Sequence, residues 1–277
     1  MLSYRHGFHA GNHADVLKHL VQVLSLDHML SKETGISYID THAGAGYYAF
    51  DDAFAAKNRE FDTGITRLQA QTALPASLQR YLDVVELCRR NQPLGYPGSP
   101  AIALAMLRPQ DRAQLFELHP ADYKALQQRF YRRANIQQAD GFTGIKALLP
   151  PPSRRAMLLM DPPFEVKTDY QTAVASLKTC LKRFSSGVYA LWYPLLAREE
   201  SQSLAEKLKG LAADNWLHCS LEVTNSDNPE SGMYGSAMFV INPPWRLAEQ
   251  LNEALPLLAQ ILGDNDQGTW ELEYQGR

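Results

Sequence analysis

ISYIDTHAGAGYYA, residues 36–49, decides how the rest of this chain is read. An apolar run of strand type ends in an acid, Asp40, and passes directly into a turn carrying Gly44 and Gly46. Glycines there permit positive φ and let a bound molecule approach the backbone closely. Taken literally, Gly44, Gly46 and Ala49 satisfy the G-x-G-x-x-G/A dinucleotide spacing, a weak signal by itself. Two features oppose a nicotinamide reading. Asp40 stands before the glycines, where it repels a pyrophosphate and suits an amino-acid ammonium group. No acid closes a second strand about 20 residues further on.

An acidic strand end appears later, at Glu117 in LFELHP, where a carboxylate can accept from both ribose hydroxyls. Asp140–Gly141 follows the next strand in the same register, where an adenine edge is expected. Each acid alone is more often a turn or helix-cap residue. Three acids closing three successive strands are another matter, because open α/β sheets bind ligands at those carboxyl ends. The arrangement suits S-adenosylmethionine better than a dinucleotide.

Strand-type runs at 36–41, 113–118, 135–139, 156–160, 187–193, 218–224 and 236–241 alternate with helical stretches such as 168–183 and 197–211. That alternation predicts a doubly wound, mainly parallel seven-stranded sheet with helices on both faces. Residues 47–98 break the rhythm. They contain no convincing strand, and FAAKNREFDTGITRLQAQ and ASLQRYLDVVELCRRN read as two helices. The domain reading is therefore 1–46 and 99–277 as the core, with 47–98 as a small helical insertion. The polar tail from about 263 is read as loosely held.

Composition agrees with an ordinary globular chain. It has 277 residues, 45% hydrophobic and 21% charged, enough for one large domain or a domain with an insertion. No run of about 18 apolar residues predicts a membrane span, and the polar N-terminus has no signal-peptide core. A cytoplasmic protein is expected. Cys88, Cys180 and Cys219 lack CxxC spacing, which predicts neither a disulfide framework nor a zinc site. The net charge of -3 argues against a dedicated nucleic-acid binder. Local clusters such as Arg129, Arg132 and Arg133 can still meet phosphates, although a solvated face is the commoner role of each.

The most specific signal is Asp161-Pro162-Pro163-Phe164 after the fourth strand. Two prolines fix the backbone and remove two donors, leaving carbonyls free to accept. Asp161 and the Pro162 carbonyl can then accept from one –NH2 group, drawing its lone pair out of conjugation with a purine ring. Phe164 offers a flat face for a flipped base. A tight strand-to-helix turn is the bland alternative, and the three upstream acids disfavour it. Asn242-Pro243-Pro244-Trp245 carries similar chemistry but follows the seventh strand, which runs antiparallel in such sheets and opens on the opposite edge. It is read as the cap of a closing helix, 246–262, with Trp245 packing.

Residues 4–19, YRHGFHAGNHADVLKH, are dense in reactive side chains. His9 and His13 stand at i, i+4, but Gly11 lies between them and no Cys or Glu completes a metal set. The alternative to metal is ligand contact. Asn12, Lys18 and His19 can reach a methionine carboxylate, and Tyr4, Arg5 and His6 a target nucleotide. Asp15 through about Leu30 is expected to form an amphipathic helix with Val16, Leu20, Val23 and Leu24 inward.

These strings, with DTHAGAG, YPGSP, ELHP, ADGF, YALWYP and VINPPW, extend over nearly the whole chain. Together they resemble the bacterial 23S ribosomal RNA adenine-N6 methyltransferases of the J type. The resemblance implies a Rossmann-like class I methyltransferase with a helical insertion, using S-adenosylmethionine on naked 23S RNA and not the assembled subunit. It implies cofactor contacts from Lys18, His19, His42, Ser99, Glu117, Asp140, Gly141 and Asp161, to which the residues themselves add Asp40 and Gly44. It implies Asp161 as catalytic acceptor and Tyr4 as a substrate contact. The chain departs in one place, carrying Phe164 where a close relative carries Tyr; stacking survives and a phenol hydroxyl is lost. No metal is expected, and the protein is read as a monomer. Two rivals stay open: a DNA adenine methyltransferase, and a cofactor-binding RNA chaperone without catalysis.

Overall fold

Strands that are apolar along their whole length, not at alternate positions, need cover on both faces. The central runs of this chain are buried at every position, and they sit in the middle of the sheet. The computed structural model describes residues 7, 9–50, 59–90, 93–212, 214–224 and 232–276.

Helix α1 (His13–Leu30) precedes β1 (Ser37–Asp40) and β2 (Tyr47–Ala49). A short helical turn at Ile65–Gln69, helix α2 (Ala76–Arg89) and β3 (Gly95–Pro97) follow. Then come α3 (Ser99–Met106), β4 (Arg112–Phe116), α4 (Pro120–Phe130), β5 (Asn135–Gln137), β6 (Ala156–Met160), α5 (Lys167–Arg183) and β7 (Val188–Leu195). The chain closes with α6 (Leu204–Ala212), β8 (Trp216–Glu222), β9 (Gly235–Ile241), α7 (Leu247–Leu262) and β10 (Thr269–Gln275).

The sheet order is β10-β8-β9-β7-β6-β1-β4-β5. β5, β4, β1, β6 and β7 are parallel, and β9 runs antiparallel between β7 and β8. Register sets Asp40 beside Leu115 of β4 and Leu159 of β6. The carboxyl ends that carry Asp40, Glu117, Asp140 and Asp161 therefore open on one edge. The order reverses at β1, the topological switch point where such sheets bind ligands.

The expected α/β architecture holds, with corrections. The sheet has eight strands, because the tail forms β10, paired with β8 from Thr269↔Glu222 to Gln275↔Trp216. Trp270 and Leu272 are the half-buried positions that tie it down. Segment 47–98 contains β2 and β3, an antiparallel pair too short for periodicity to reveal. Its first predicted helix reduces, among the described residues, to turns at Glu60–Asp62 and Ile65–Gln69. Leu78, Tyr81, Val84 and Val85 of α2 join the same hydrophobic core as the sheet. The helix expected over 197–211 divides at Ser203. No helix among the described residues is long and apolar enough to cross a membrane.

Helix α1 is not amphipathic. Val16, Leu20, Val23 and Leu24 are buried as expected, and so are Asp15, Lys18, His19, Gln22 and Ser25. Packed between the sheet and helices α2, α3 and α7, it has no solvent face for its polar residues, which must find partners inside.

The second Pro-Pro motif lies at the opposite edge, after antiparallel β9. Asn242 holds φ 55° and its amide donates to the carbonyls of Ser185 (2.8 Å) and Gly187 (2.7 Å). Trp245, expected to pack, is 69% exposed; its ring meets His28 edge-on and the Arg246 guanidinium. Asn242 accordingly has a structural role. Asn242→Ala removes both bonds and puts alanine at a left-handed φ that asparagine tolerates better, an expected loss of about 2 kcal/mol. A urea melt should show that loss, with ligand binding at the opposite edge of the sheet unchanged at 25 °C.

Candidate active site

The turn after β1 is built around its glycines. Gly44 holds φ 62° and Gly46 φ 79°, and a β-carbon on Gly44 would lie 2.2 Å from the Tyr48 hydroxyl. The Gly44 N–H donates to Glu117 Oε2 at 2.8 Å, and the His119 N–H donates to Oε1 at 2.6 Å. Burial pushes the Glu117 carboxyl up to about 7, although both N–H donors favour its charge. Asp140 caps the following helical turn by accepting from the Phe142 N–H at 3.0 Å. A β-carbon on Gly141 would lie 2.1 Å from the Thr41 carbonyl oxygen, so only glycine lets these two strand ends meet so closely.

A cavity of about 320 Å³ occupies this edge. Lys18, His19, His42, Gly44 and Ser99 line it together with Glu117, Asp140, Gly141 and Asp161. Asp40 does not line it. Fully buried beneath the floor, Asp40 accepts from the hydroxyls of Tyr38 (2.9 Å) and Ser99 (2.7 Å) and from the His42 N–H (3.2 Å). Burial pushes its carboxyl up to about 6 against those donors. Burial likewise lowers His42 to about 4, so that ring is neutral at physiological pH.

A second cavity, of about 240 Å³, adjoins the first. Both are lined by Lys18, Asp161 and Pro163. The second is walled by Phe164, Trp192, Pro194, Leu196 and Met233, with His9, Asn12, Asp15 and Arg198 as further polar members. Phe164 is not the open platform expected from the sequence. Its backbone holds φ 51°, and its ring is 2% exposed, packed 4.5 Å from Tyr170 and 6.3 Å from Trp192. Pro162, also buried, carries the chain between these walls.

At the junction Lys18 Nζ donates to Asp161 Oδ2 at 2.6 Å and pairs with Asp15 Oδ1 at 2.7 Å. Burial alone would depress this ammonium, but the two carboxylates raise its pKa above the ordinary lysine value. The Trp192 ring centroid lies 5.9 Å from Nζ.

Nine of the predicted residues thus meet in one cavity, while Asp40 supports it from below. Pro162 and Phe164 belong with the neighbouring recess. Tyr4, Arg5 and His6 lie outside the described residues. Asn12, expected near a methionine carboxylate, instead caps α1, donates to Glu60 and lines the second cavity. His9, weighed as a metal ligand, bonds Glu60 at 2.9 Å. The sequence reading missed Asp15, Trp192 and Tyr48. Asp15 was detectable: it shares helical spacing with Lys18, His19 and Gln22, a polar stripe on an otherwise apolar helix.

A turn of this kind, with strand-end carboxylates at the switch point, defines a Rossmann-like class I methyltransferase. Residues 33–275 match the family described as Ribosomal RNA large subunit methyltransferase D, RlmJ, and the chain belongs to that family. It is 48% identical over 261 residues to the Ribosomal RNA large subunit methyltransferase J of Escherichia coli (strain K12), covering 93% of each chain. It is 42% identical over 278 residues to the protein of the same name from Haemophilus influenzae (strain ATCC 51907 / DSM 11121 / KW20 / Rd), covering 99% of each. A crystal structure of a protein from Legionella pneumophila str. Philadelphia 1 superposes with a TM-score of 0.87 at 30% identity, covering 97% of this chain and 99% of that one.

Glu117 gives a test of the electrostatics independent of any ligand. Its folded pKa is raised, so the stability it contributes is present below about 4.5 and lost as pH rises to about 7. Glu117→Gln lacks that titration. Its stability relative to wild type should rise through this window, by at most about 1.4 kcal/mol per pH unit, and level off above it. Urea melts of both proteins at pH 5 and pH 8 check the sign; a difference that does not change with pH contradicts the burial argument.

Proposed function

We propose that this protein methylates the exocyclic N6 amino group of an adenine in 23S ribosomal RNA, with Asp161 as the acceptor that aligns the target amine. The observation that carries the reading is the wall shared by the two cavities: Lys18, Asp161 and Pro163 face both. Asp161 can therefore touch a cofactor on one side and a target base on the other.

S-adenosyl-L-methionine is the cofactor, and the larger cavity fits it. Glu117 retains lone pairs for ribose hydroxyls beyond its two backbone donors. The Gly44 turn offers close backbone approach, and Asp140 with Gly141 stands where the adenine edge is expected. Lys18, His19, His42 and Ser99 complete the wall, with Asp40 acting through Ser99 and His42. Bound there, the cofactor supplies a methyl group activated by its sulfonium.

On the other side the chain's task is positioning. Asp161 and the Pro162 carbonyl accept from the two protons of the target amine, which draws its lone pair away from the ring. Lys18 holds one oxygen of Asp161, so the second is the one turned to the amine. Phe164, Trp192 and Met233 exclude water from the recess, and Trp192 gives the base an aromatic wall. Asp161 is also the nearest carboxylate for the proton that the methylated nitrogen sheds. Holding the reactants in this geometry supplies most of the acceleration. Arg198 offers a cation for the flanking phosphate, and Tyr4, Arg5 and His6 are assigned to the nucleotide.

The protein is read as acting as a monomer. The reading extends to protein-free 23S RNA as substrate, to the cytoplasm as its place of action, and to residues 47–98 as an insertion in the core.

Tritiated methyl transfer to protein-free 23S RNA, to assembled large subunits and to duplex DNA tests the proposal. Label in RNA adenine is expected with the first substrate. Label in DNA alone would overturn the substrate and leave the chemistry. Asp161→Ala should lower transfer at least about 1,000-fold while adenosylhomocysteine binding stays measurable by calorimetry. Normal turnover in that variant removes Asp161 from its role.

A further inference from the structure

Lys18 is one member of a longer buried chain that the methyl-transfer reading leaves unexplained. Asp15 is 1% exposed and His19 is fully buried. Asp15 Oδ2 accepts from the Gly11 N–H at 2.8 Å, while Oδ1 pairs with Lys18 and lies 4.0 Å from His19 Nε2. The other His19 nitrogen, Nδ1, is 2.7 Å from the Tyr96 hydroxyl, which is 2.7 Å from that of Tyr81. Tyr96 comes from β3 and Tyr81 from α2, so both belong to segment 47–98. The His19 and Tyr96 rings also stack, with centroids 5.4 Å apart. A polar path therefore runs from Asp161 into that segment, hydrogen-bonded or ion-paired at every step except the 4.0 Å approach of Asp15 to His19.

Asp15 makes an electrostatic difference at the end of that path. A single ion pair of Lys18 with Asp161 would be neutral and would blunt Asp161 as an acceptor. With Asp15 the cluster carries two carboxylates and one ammonium, a net charge of -1. That negative charge lies beside the amine nitrogen, where positive charge develops during transfer, and preorganised charge aimed at such a point stabilises the transition state more than the ground state.

We propose that Asp15 is a positioning residue. It holds and shares the Lys18 ammonium so that Asp161 keeps one fixed oxygen and one anionic oxygen for the target amine, and Tyr96 and Tyr81 brace it through His19. The inference rests on the assignment of Asp161 as the acceptor.

The test compares wild type with Asp15→Asn and Tyr96→Phe, measuring the single-turnover methyl-transfer rate on saturating 23S RNA and adenosylhomocysteine affinity by calorimetry. Asp15→Asn preserves shape and removes charge; it should slow transfer by about 10- to 100-fold and change affinity less than 3-fold. Tyr96→Phe deletes one hydroxyl from a buried ring and should slow transfer about 3- to 10-fold, again with affinity held. An Asp15→Asn rate equal to wild type overturns the proposal, as does a loss of affinity equal to the loss of rate. If Asp15→Asn does not fold, the Tyr96→Phe rate decides by the same criteria. Wild-type protein that transfers nothing to RNA defeats the proposed function instead, so the two failures are distinguishable.

Discussion

The carboxyl edge of the sheet depends on burying one ammonium group. Lys18 is 3% exposed, and an uncompensated buried charge of this kind costs several kcal/mol. Its two carboxylates come from different parts of the chain: Asp15 from the same helix and Asp161 from the end of β6. Neither alone would both neutralise the ammonium and fix its direction. The cluster therefore ties α1 to the sheet in one rotational setting. Turning the helix would leave Lys18, His19 and Gln22 facing apolar groups with their partners out of reach. Gln22 makes the same demand one turn on, donating to the Tyr38 hydroxyl at 3.0 Å and the Ser99 carbonyl at 2.8 Å.

Around this anchor the edge holds carboxylates that burial opposes. Asp40 and Glu117 are both pushed upward, so at neutral pH their charged forms weigh against the fold. Backbone and hydroxyl donors offset part of that cost. Such a site is destabilised when alone, and ligand groups able to donate to the Glu117 oxygens, which line the cavity, relieve part of that cost. Neutral His42, bonded to Thr41 at 2.7 Å and edge-on to Phe142 at 4.8 Å, shapes the larger cavity without adding a cation to it.

The two Pro-Pro motifs show how little local chemistry decides by itself. Asp161-Pro162-Pro163 and Asn242-Pro243-Pro244 both follow buried strands and both offer a polar side chain before two prolines. β6 is parallel to β1, and its end joins the other strand-end acids. β9 is antiparallel to β7, and its end emerges across the sheet, where Asn242 stitches a turn to the start of β7. Strand direction separates a candidate acceptor from a structural bracket.

Much was legible along the chain. The apolar runs, the glycine turn, Glu117, Asp140 and the Asp161 motif are local patterns, and a strand end in a parallel sheet has only one edge to face. Those residues determined the α/β class and most of the larger cavity. Strands β2 and β3 span three residues each, too few to show a period, and β10 alternates among charged residues that read as a tail. Phe164 looked like an open stacking face until its left-handed turn folded the ring against Tyr170 and Trp192. Asp15 entered the sequence reading only as the start of the first helix; its polar stripe with Lys18, His19 and Gln22 marks it, but not its partners. Its pairing with Lys18 and, through His19, its link to Tyr96 join positions up to 81 residues apart in number, and no local pattern encodes that separation. Sequence determined which groups sit at strand ends because periodicity and turn chemistry act over a few residues. Tertiary structure alone decided which groups share a buried charge, because that depends on what desolvated neighbour lies within hydrogen-bond reach.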